Sequence, residues 1–181
     1  MASLFTDRAI SYRVDKKFDL FKVALSVGVQ KMVRSDKGVS GVMFTVDTES
    51  GFRDVVLING VWGLGELIVQ GEVTPDEFLV WKKGLKNAGS LPIVDKRLGV
   101  KNRKMVYSSA GKNIKQTKII QTTRKENDHF VLSNKEILKL ARWGALVEKH
   151  YSKKNGAWTP MDMEWAKDGE TGELFIVQAR P

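Results

Sequence analysis

Two carboxylates spaced two residues apart, Asp162 and Glu164, and a glutamine and an arginine with the same spacing, Gln178 and Arg180, are the groups in this sequence best suited to chemistry. Hard carboxylate oxygens suit Mg²⁺, which takes one or two protein carboxylates and bridges them to substrate phosphates. An adjacent arginine can hold a phosphoryl group through its planar fork of donors. Residues 161–166 and 173–179 alternate in polarity around a turn that contains Asp168-Gly169, which predicts a β-hairpin. Alternation puts Asp162 and Glu164 on one face, opposite Met161, Met163 and Trp165, and gives Leu174, Ile176, Gln178 and Arg180 one parity on the partner strand. A solvent-facing strand edge with a salt bridge between Arg180 and Glu164 explains the same four residues equally well.

A second candidate is Gly60-Val61-Trp62-Gly63-Leu64-Gly65-Glu66, where glycines would let backbone N–H groups approach phosphates. No Gly-Lys-Ser/Thr follows, so it is not a Walker loop, and a plain turn is the simpler reading. His129 and His150 show neither metal-ligand spacing nor a triad arrangement. The absence of cysteine excludes disulfides, cysteine zinc sites and thiol catalysis.

The elements that must position these groups follow from periodicity. A first helix is predicted over residues 16–33, from Phe18, Phe21, Leu25 and Val29, with residues 29–33 able to turn into a short strand instead. Residues 41–45 and 54–58 read as strands joined by a turn at Ser50-Gly51; residues 66–70 and 77–81 are further strand-like segments. The basic stretch 82–127 holds strand candidates at 104–108 and 118–121, an exposed hairpin region. Ser133 followed by Glu136 is a capping box. The helix after it should run to about His150 and bury Ile137, Leu140, Ala141, Gly144 and Val147.

The formal net charge is +9, with lysine and arginine spread along the chain and no run of five. Charge this diffuse favours a solvated surface, or an anionic small ligand, over a nucleic-acid groove. The first residues lack a secretory pattern, and no apolar stretch approaches the roughly 18 residues that span a bilayer. The expected location is cytoplasmic, with no nucleic-acid or membrane partner.

Taken in order, Asp7-Arg8-Ala9-Ile10-Ser11-Tyr12-Arg13, Val29-Gln30-Lys31-Met32-Val33, Ser40-Gly41-Val42-Met43-Phe44-Thr45, Gly63-Leu64-Gly65-Glu66, Val69-Gln70-Gly71, Pro75-Asp76-Glu77-Phe78, Glu148-Lys149-His150-Tyr151, Met161-Asp162-Met163-Glu164-Trp165-Ala166 and Val177-Gln178-Ala179-Arg180-Pro181 resemble the phosphoenolpyruvate synthase family. The match runs over nearly the whole chain. Pyruvate phosphate dikinase and rifampin phosphotransferase share the pattern less closely.

The resemblance implies an α+β fold: the C-terminal subdomain of an ATP-grasp nucleotide-binding domain, a mostly antiparallel sheet with flanking helices near 16–28 and 133–150. It puts Asp162 and Glu164 at the Mg²⁺ and phosphates, and Gln178 and Arg180 on ATP, with Arg180 catalytic. Gln30, Met32 and Val33 would line the adenine pocket, and Glu66 would add a polar contact. The N-terminal ATP-grasp subdomain and the phosphohistidine domain are missing from these 181 residues. The segment between Tyr151 and Pro160 is longer than the family's usual connection and should push out a loop before Asp162. Besides an enzyme fragment, a stand-alone Mg-ATP-binding module and a polyanion-binding protein fit the composition. A sheet face that the partner subdomain normally covers predicts self-association, because large apolar patches rarely persist in monomers. Size-exclusion chromatography should show a concentration-dependent shift to larger species, and a concentration-independent monomer would count against it.

Overall fold

The computed structural model describes residues 2–19, 22–87, 89–108 and 117–181, in two compact units, residues 1–32 and 33–181. The first unit holds a 3₁₀ turn, Ala2–Phe5, and helix α1, Asp7–Asp15. The helix predicted over 16–33 is therefore not formed. Thr6 occupies the N-cap with Asp7 in the first turn, and the chain leaves the helix through Lys17, whose φ is 56°. Phe18, Leu25 and Val29 are exposed rather than gathered on one face, and Phe21 lies outside the described residues. Residues 29–33 form no strand either, because no strand of either sheet pairs with them and a strand exists only through its ladder.

The second unit begins with strands β1 (Val39–Phe44) and β2 (Val55–Trp62), then a one-turn helix α2 (Glu66–Val69). Strands β3 (Asp76–Trp81), β4 (Ile93–Arg97), β5 (Arg103–Tyr107) and β6 (Thr117–Gln121) follow. Helices α3 (Arg124–Asn127) and α4 (Asn134–Asn155) lead into β7 (Asp162–Lys167) and β8 (Leu174–Arg180). Six strands form one antiparallel sheet in the order β4-β3-β2-β1-β7-β8, and β5 with β6 forms a separate ribbon. The architecture is α+β and mostly antiparallel, as expected. Residues 66–70, expected as a strand, instead start a helical turn that buries Leu67.

α4 forms where the capping box predicts. The Ser133 hydroxyl accepts from the Glu136 amide, and the Ser133 amide donates to the Glu136 carboxylate at 2.8 Å. Burial raises the Glu136 carboxyl, but hydrogen bonds from Lys167 and the cap outweigh it and hold the group below the usual carboxylate range. Ile137, Leu140 and Ala141 pack against Val39, Met43, Ile58, Phe78, Met163 and Trp165, filling one face of the sheet. Gly41 and Gly60 pair across the sheet beneath the Trp165 indole, and a Cβ on either would lie 2.8–3.1 Å from that ring. α4 also runs past His150 to Asn155, where Gly156 ends it in the left-handed conformation with φ 68°. Residues 152–155 of the segment expected to push out a loop before Asp162 therefore continue the helix, and residues 156–161 connect it to β7.

Below the sheet's other end lies a fully buried ion pair. Lys101 Nζ meets Asp76 Oδ1 at 2.5 Å, and neither side chain reaches solvent. The Asp76 carboxylate also accepts from the Gly99 amide at 2.9 Å and the Val131 amide at 2.8 Å. Three stretches distant in sequence thus converge on one carboxylate. Removing one partner of a buried pair strands the other charge, whereas losing the Ser133 hydroxyl removes two surface hydrogen bonds to Glu136. Lys101→Met should destabilise the protein by about 3 kcal/mol or more and Ser133→Ala by about 1 kcal/mol, read as shifts in urea midpoint at constant slope.

Candidate functional site

The face of the sheet opposite α4 collects the residues predicted to do chemistry. Successive side chains alternate across a sheet, so the register alone assigns its members. Asp162 pairs with Arg180 and Glu164 with Gln178, which puts all four on this face. Two rows then cross the neighbouring strands. One runs from Gln178 through Glu164, Val42 and Asn59 to Glu77; the other runs from Arg180 through Asp162, Phe44 and Leu57 to Leu79. Adjacent strands lie about 4.8 Å apart, so each row spans roughly 19 Å.

The hairpin carrying the four residues is not regular. Its register shifts after Glu164, where Trp165 pairs with Ile176 and leaves Val177 as an extra residue, a β-bulge. The bulge reverses the alternation along β8. Leu174 and Ile176 turn to the α4 side, where Leu174 is buried in the main core and Ile176 packs on it. Gln178 and Arg180 turn to the other side. The single parity expected for Leu174, Ile176, Gln178 and Arg180 is thus broken, and the two polar residues are released from the core.

Arg180 pairs with Asp162, not Glu164: its Nε donates to Asp162 Oδ2 at 2.8 Å. The Asp162 side chain is 30% exposed and that of Arg180 61%, so the pair lies within reach of a solute. Glu164 is half-buried and has no ion pair among the described residues. No group of three or more His, Asp or Glu is arranged to hold a metal among the described residues. A two-carboxylate set does match Mg²⁺, which keeps most of its shell as water or phosphate oxygen instead of using an all-protein cage.

The glycine-rich segment serves the fold. Gly63 has φ 80°, and a Cβ there would lie 2.4 Å from the Met105 carbonyl oxygen. Its amide donates to the Gly38 carbonyl at 3.0 Å and the Leu64 amide to Met105 at 2.9 Å, so neither is left for a phosphate. Val61, Leu67, Val73 and Met105 form a second small core that covers this end of the same sheet face. Glu66 is exposed at the start of α2, which buries Leu67 in that core. Gln30 and Met32 belong to the first unit and are exposed; Val33 opens the second and is half-buried. His129 Nδ1 donates to the Lys125 carbonyl oxygen at 2.8 Å, and His150 lies edge-on to Tyr151, both at the surface.

Residues 1–181 match the family model for the pyruvate phosphate dikinase, AMP/ATP-binding domain. The chain belongs to this dikinase nucleotide-binding family. It is 60% identical to the phosphoenolpyruvate synthase of Aquifex aeolicus over 99% of its length, and 59% identical to that of Synechocystis over the same share. The Escherichia coli K12 phosphoenolpyruvate synthase is 54% identical, again over 99% of the chain. The chain spans only 21–22% of the length of these relatives. No helix among the described residues of this family member is long and apolar enough to cross a membrane.

For this member of the dikinase family, sequence spacing found the four polar residues of β7 and β8 but not their neighbours. Asn59 and Glu77 join the row of Glu164 solely through the pairing of β1, β2 and β3. Nothing local in the sequence marks them, because the partners that align them are distant along the chain.

Proposed function

We propose that the chain is the C-terminal part of an ATP-grasp unit in a phosphoenolpyruvate-synthase-type dikinase, and that the sheet face opposite α4 receives the phosphates of Mg-ATP. The observation that carries this is the register, which gathers Asp162, Glu164, Gln178 and Arg180 on one face and turns the last two outward through a bulge. Family membership over the full chain and similarity to several phosphoenolpyruvate synthases support the same reading.

In this reading Asp162 and Glu164 would hold Mg²⁺, which would supply positive charge against the phosphates of ATP. Arg180 is the catalytic cation. Its bond to Asp162 uses Nε, which fixes the guanidinium plane while its terminal nitrogens point donors at a phosphoryl group. Such a preset donor costs no reorganisation when charge develops. Gln178 donates to the nucleotide beside it, Glu66 adds a more distant polar contact, and Gln30, Met32 and Val33 line the adenine pocket. Two further parts, an N-terminal ATP-grasp subdomain and a phosphohistidine domain, complete the machinery. The overall reaction converts ATP, pyruvate and water into AMP, phosphoenolpyruvate and phosphate, with the histidine carrying the β-phosphoryl group between the two sites. A cytoplasmic location suits these substrates.

Isothermal titration of Mg-ATP into the chain should show binding that weakens at least about tenfold in the Asp162→Ala/Glu164→Ala double variant, since losing residues that merely orient metal ligands already costs about that much. Equal affinity in both proteins would remove the carboxylates from the site. In a coupled assay, these 181 residues alone should form no pyruvate-dependent AMP, since neither His129 nor His150 stands in a phosphohistidine motif.

A further inference from the structure

A partly buried ammonium group on the α4 side of the sheet, behind the site, plays no part in the reading above. Lys82 directly follows β3, and its side chain is 14% exposed. Its three donors meet three acceptors: the Thr45 carbonyl at 2.6 Å, the Arg53 carbonyl at 2.6 Å, and the Glu148 carboxylate at 2.7 Å. Glu148, on α4 and buried, also accepts from Trp158 Nε1 at 2.6 Å. The Arg53 guanidinium lies 4.2 Å from the centre of the Trp158 ring. One ion pair therefore ties the β1–β2 loop, the end of β3, α4 and the segment leading to β7.

Its most consequential acceptor is Thr45, which is fully buried. The Thr45 amide donates to the Met161 carbonyl at 3.0 Å, and the Met161 amide donates to the Thr45 hydroxyl at 2.8 Å. Met161 immediately precedes Asp162. Beyond Glu164 the pairing of β7 with β8 is interrupted by the bulge at Val177. β1 pairs with β7 without a break from Asp162 to Lys167, and this doubly bonded crossing anchors the end of that ladder next to Asp162, while on the β8 side the bulge interrupts the pairing just past Glu164. Mg²⁺ demands nearly ideal octahedral geometry at about 2.0–2.1 Å, so the height of Asp162 above the sheet matters.

We infer that Lys82 and Glu148 are positioning residues for the metal-binding carboxylates: they lock the Thr45–Met161 crossing and so fix where β7 presents Asp162. The inference rests on the reading of Asp162 and Glu164 as metal ligands. It makes a prediction whose sign separates geometry from charge. By Coulomb's law alone, deleting a nearby cation strengthens binding of a divalent ion; loosening the crossing weakens it.

The test uses the ¹⁵N-labelled chain with Mn²⁺ alone as probe, following paramagnetic broadening of the Asp162 and Glu164 amides and exchange protection across α4. Lys82→Met and Glu148→Gln should each raise the Mn²⁺ midpoint about tenfold, the lower end of the range for residues that orient metal ligands. Lys82→Arg, which keeps the donors, should restore most of the affinity. A Lys82→Met protein that keeps its α4 protection and binds Mn²⁺ equally or more tightly overturns the inference. Should Lys82→Met lose that protection, Glu148→Gln and Lys82→Arg decide it: unchanged affinity in the first, or a tenfold loss in the second, overturns the positioning role. If Asp162→Asn/Glu164→Gln leaves the broadening unchanged, the metal reading itself fails and takes the inference with it. If that variant abolishes broadening while Glu148→Gln and Lys82→Met do not weaken it, only the positioning role falls.

Discussion

A β-sheet has two faces, and in this chain a single helix occupies one of them. α4 fills the side lined by Met43, Ile58, Phe78, Met163 and Trp165, and much else follows from that packing. Alternation then commits Asp162, Glu164, Val42, Phe44 and Asn59 to the other side. An antiparallel sheet tolerates such an arrangement, one face dry and one available. The second small core around Leu67 and Met105 covers part of the available face near the end of β2, leaving the Asp162 and Glu164 rows as the stretch that can meet a ligand.

Two ion pairs, one fully buried and one partly so, brace the edges of this arrangement. Asp76 and Lys101, without solvent exposure, bind β3 to the segment before β5 and to the approach to α4. Lys82 and Glu148 close the opposite end of β3 onto α4 and onto the loop after β1. In each case the charged groups also satisfy backbone carbonyls or amides, the condition under which a buried pair repays its desolvation. Both pairs join segments that a sheet ladder does not connect. They constrain loops where hydrogen-bonded strands cannot.

The irregularity that matters most for chemistry is a single residue. Val177 has no partner across the hairpin, and it separates two uses of β8. Before it, Leu174 and Ile176 belong to the core; after it, Gln178 and Arg180 turn to the sheet face opposite α4. A bulge re-aims side chains and bends the strand locally, which lets one edge strand present apolar residues to the core before it and polar residues to the opposite face after it.

Some of this was legible in the residues themselves. The capping box at Ser133 and Glu136, the apolar stripe behind it, the Asp-Gly turn and the alternation of β7 are local signals, and local signals survive in any context. The spacing of Asp162 with Glu164 and of Gln178 with Arg180 likewise marked the pairs. What failed were segments whose state depends on a partner. Residues 16–33 carried helical periodicity, yet Phe18, Leu25 and Val29 are exposed, and residues 29–33 carried strand character but lie in no ladder. Residues 66–70 had β-branched composition, yet Leu67 had a small core to fill. The sequence alone therefore determined the helix α4, the hairpin and the identity of the four polar residues. Only the tertiary structure decided which face they share, that Arg180 meets Asp162 and not Glu164, and that Lys82 and Glu148 stand behind them, because register and buried pairing arise between segments far apart in the chain.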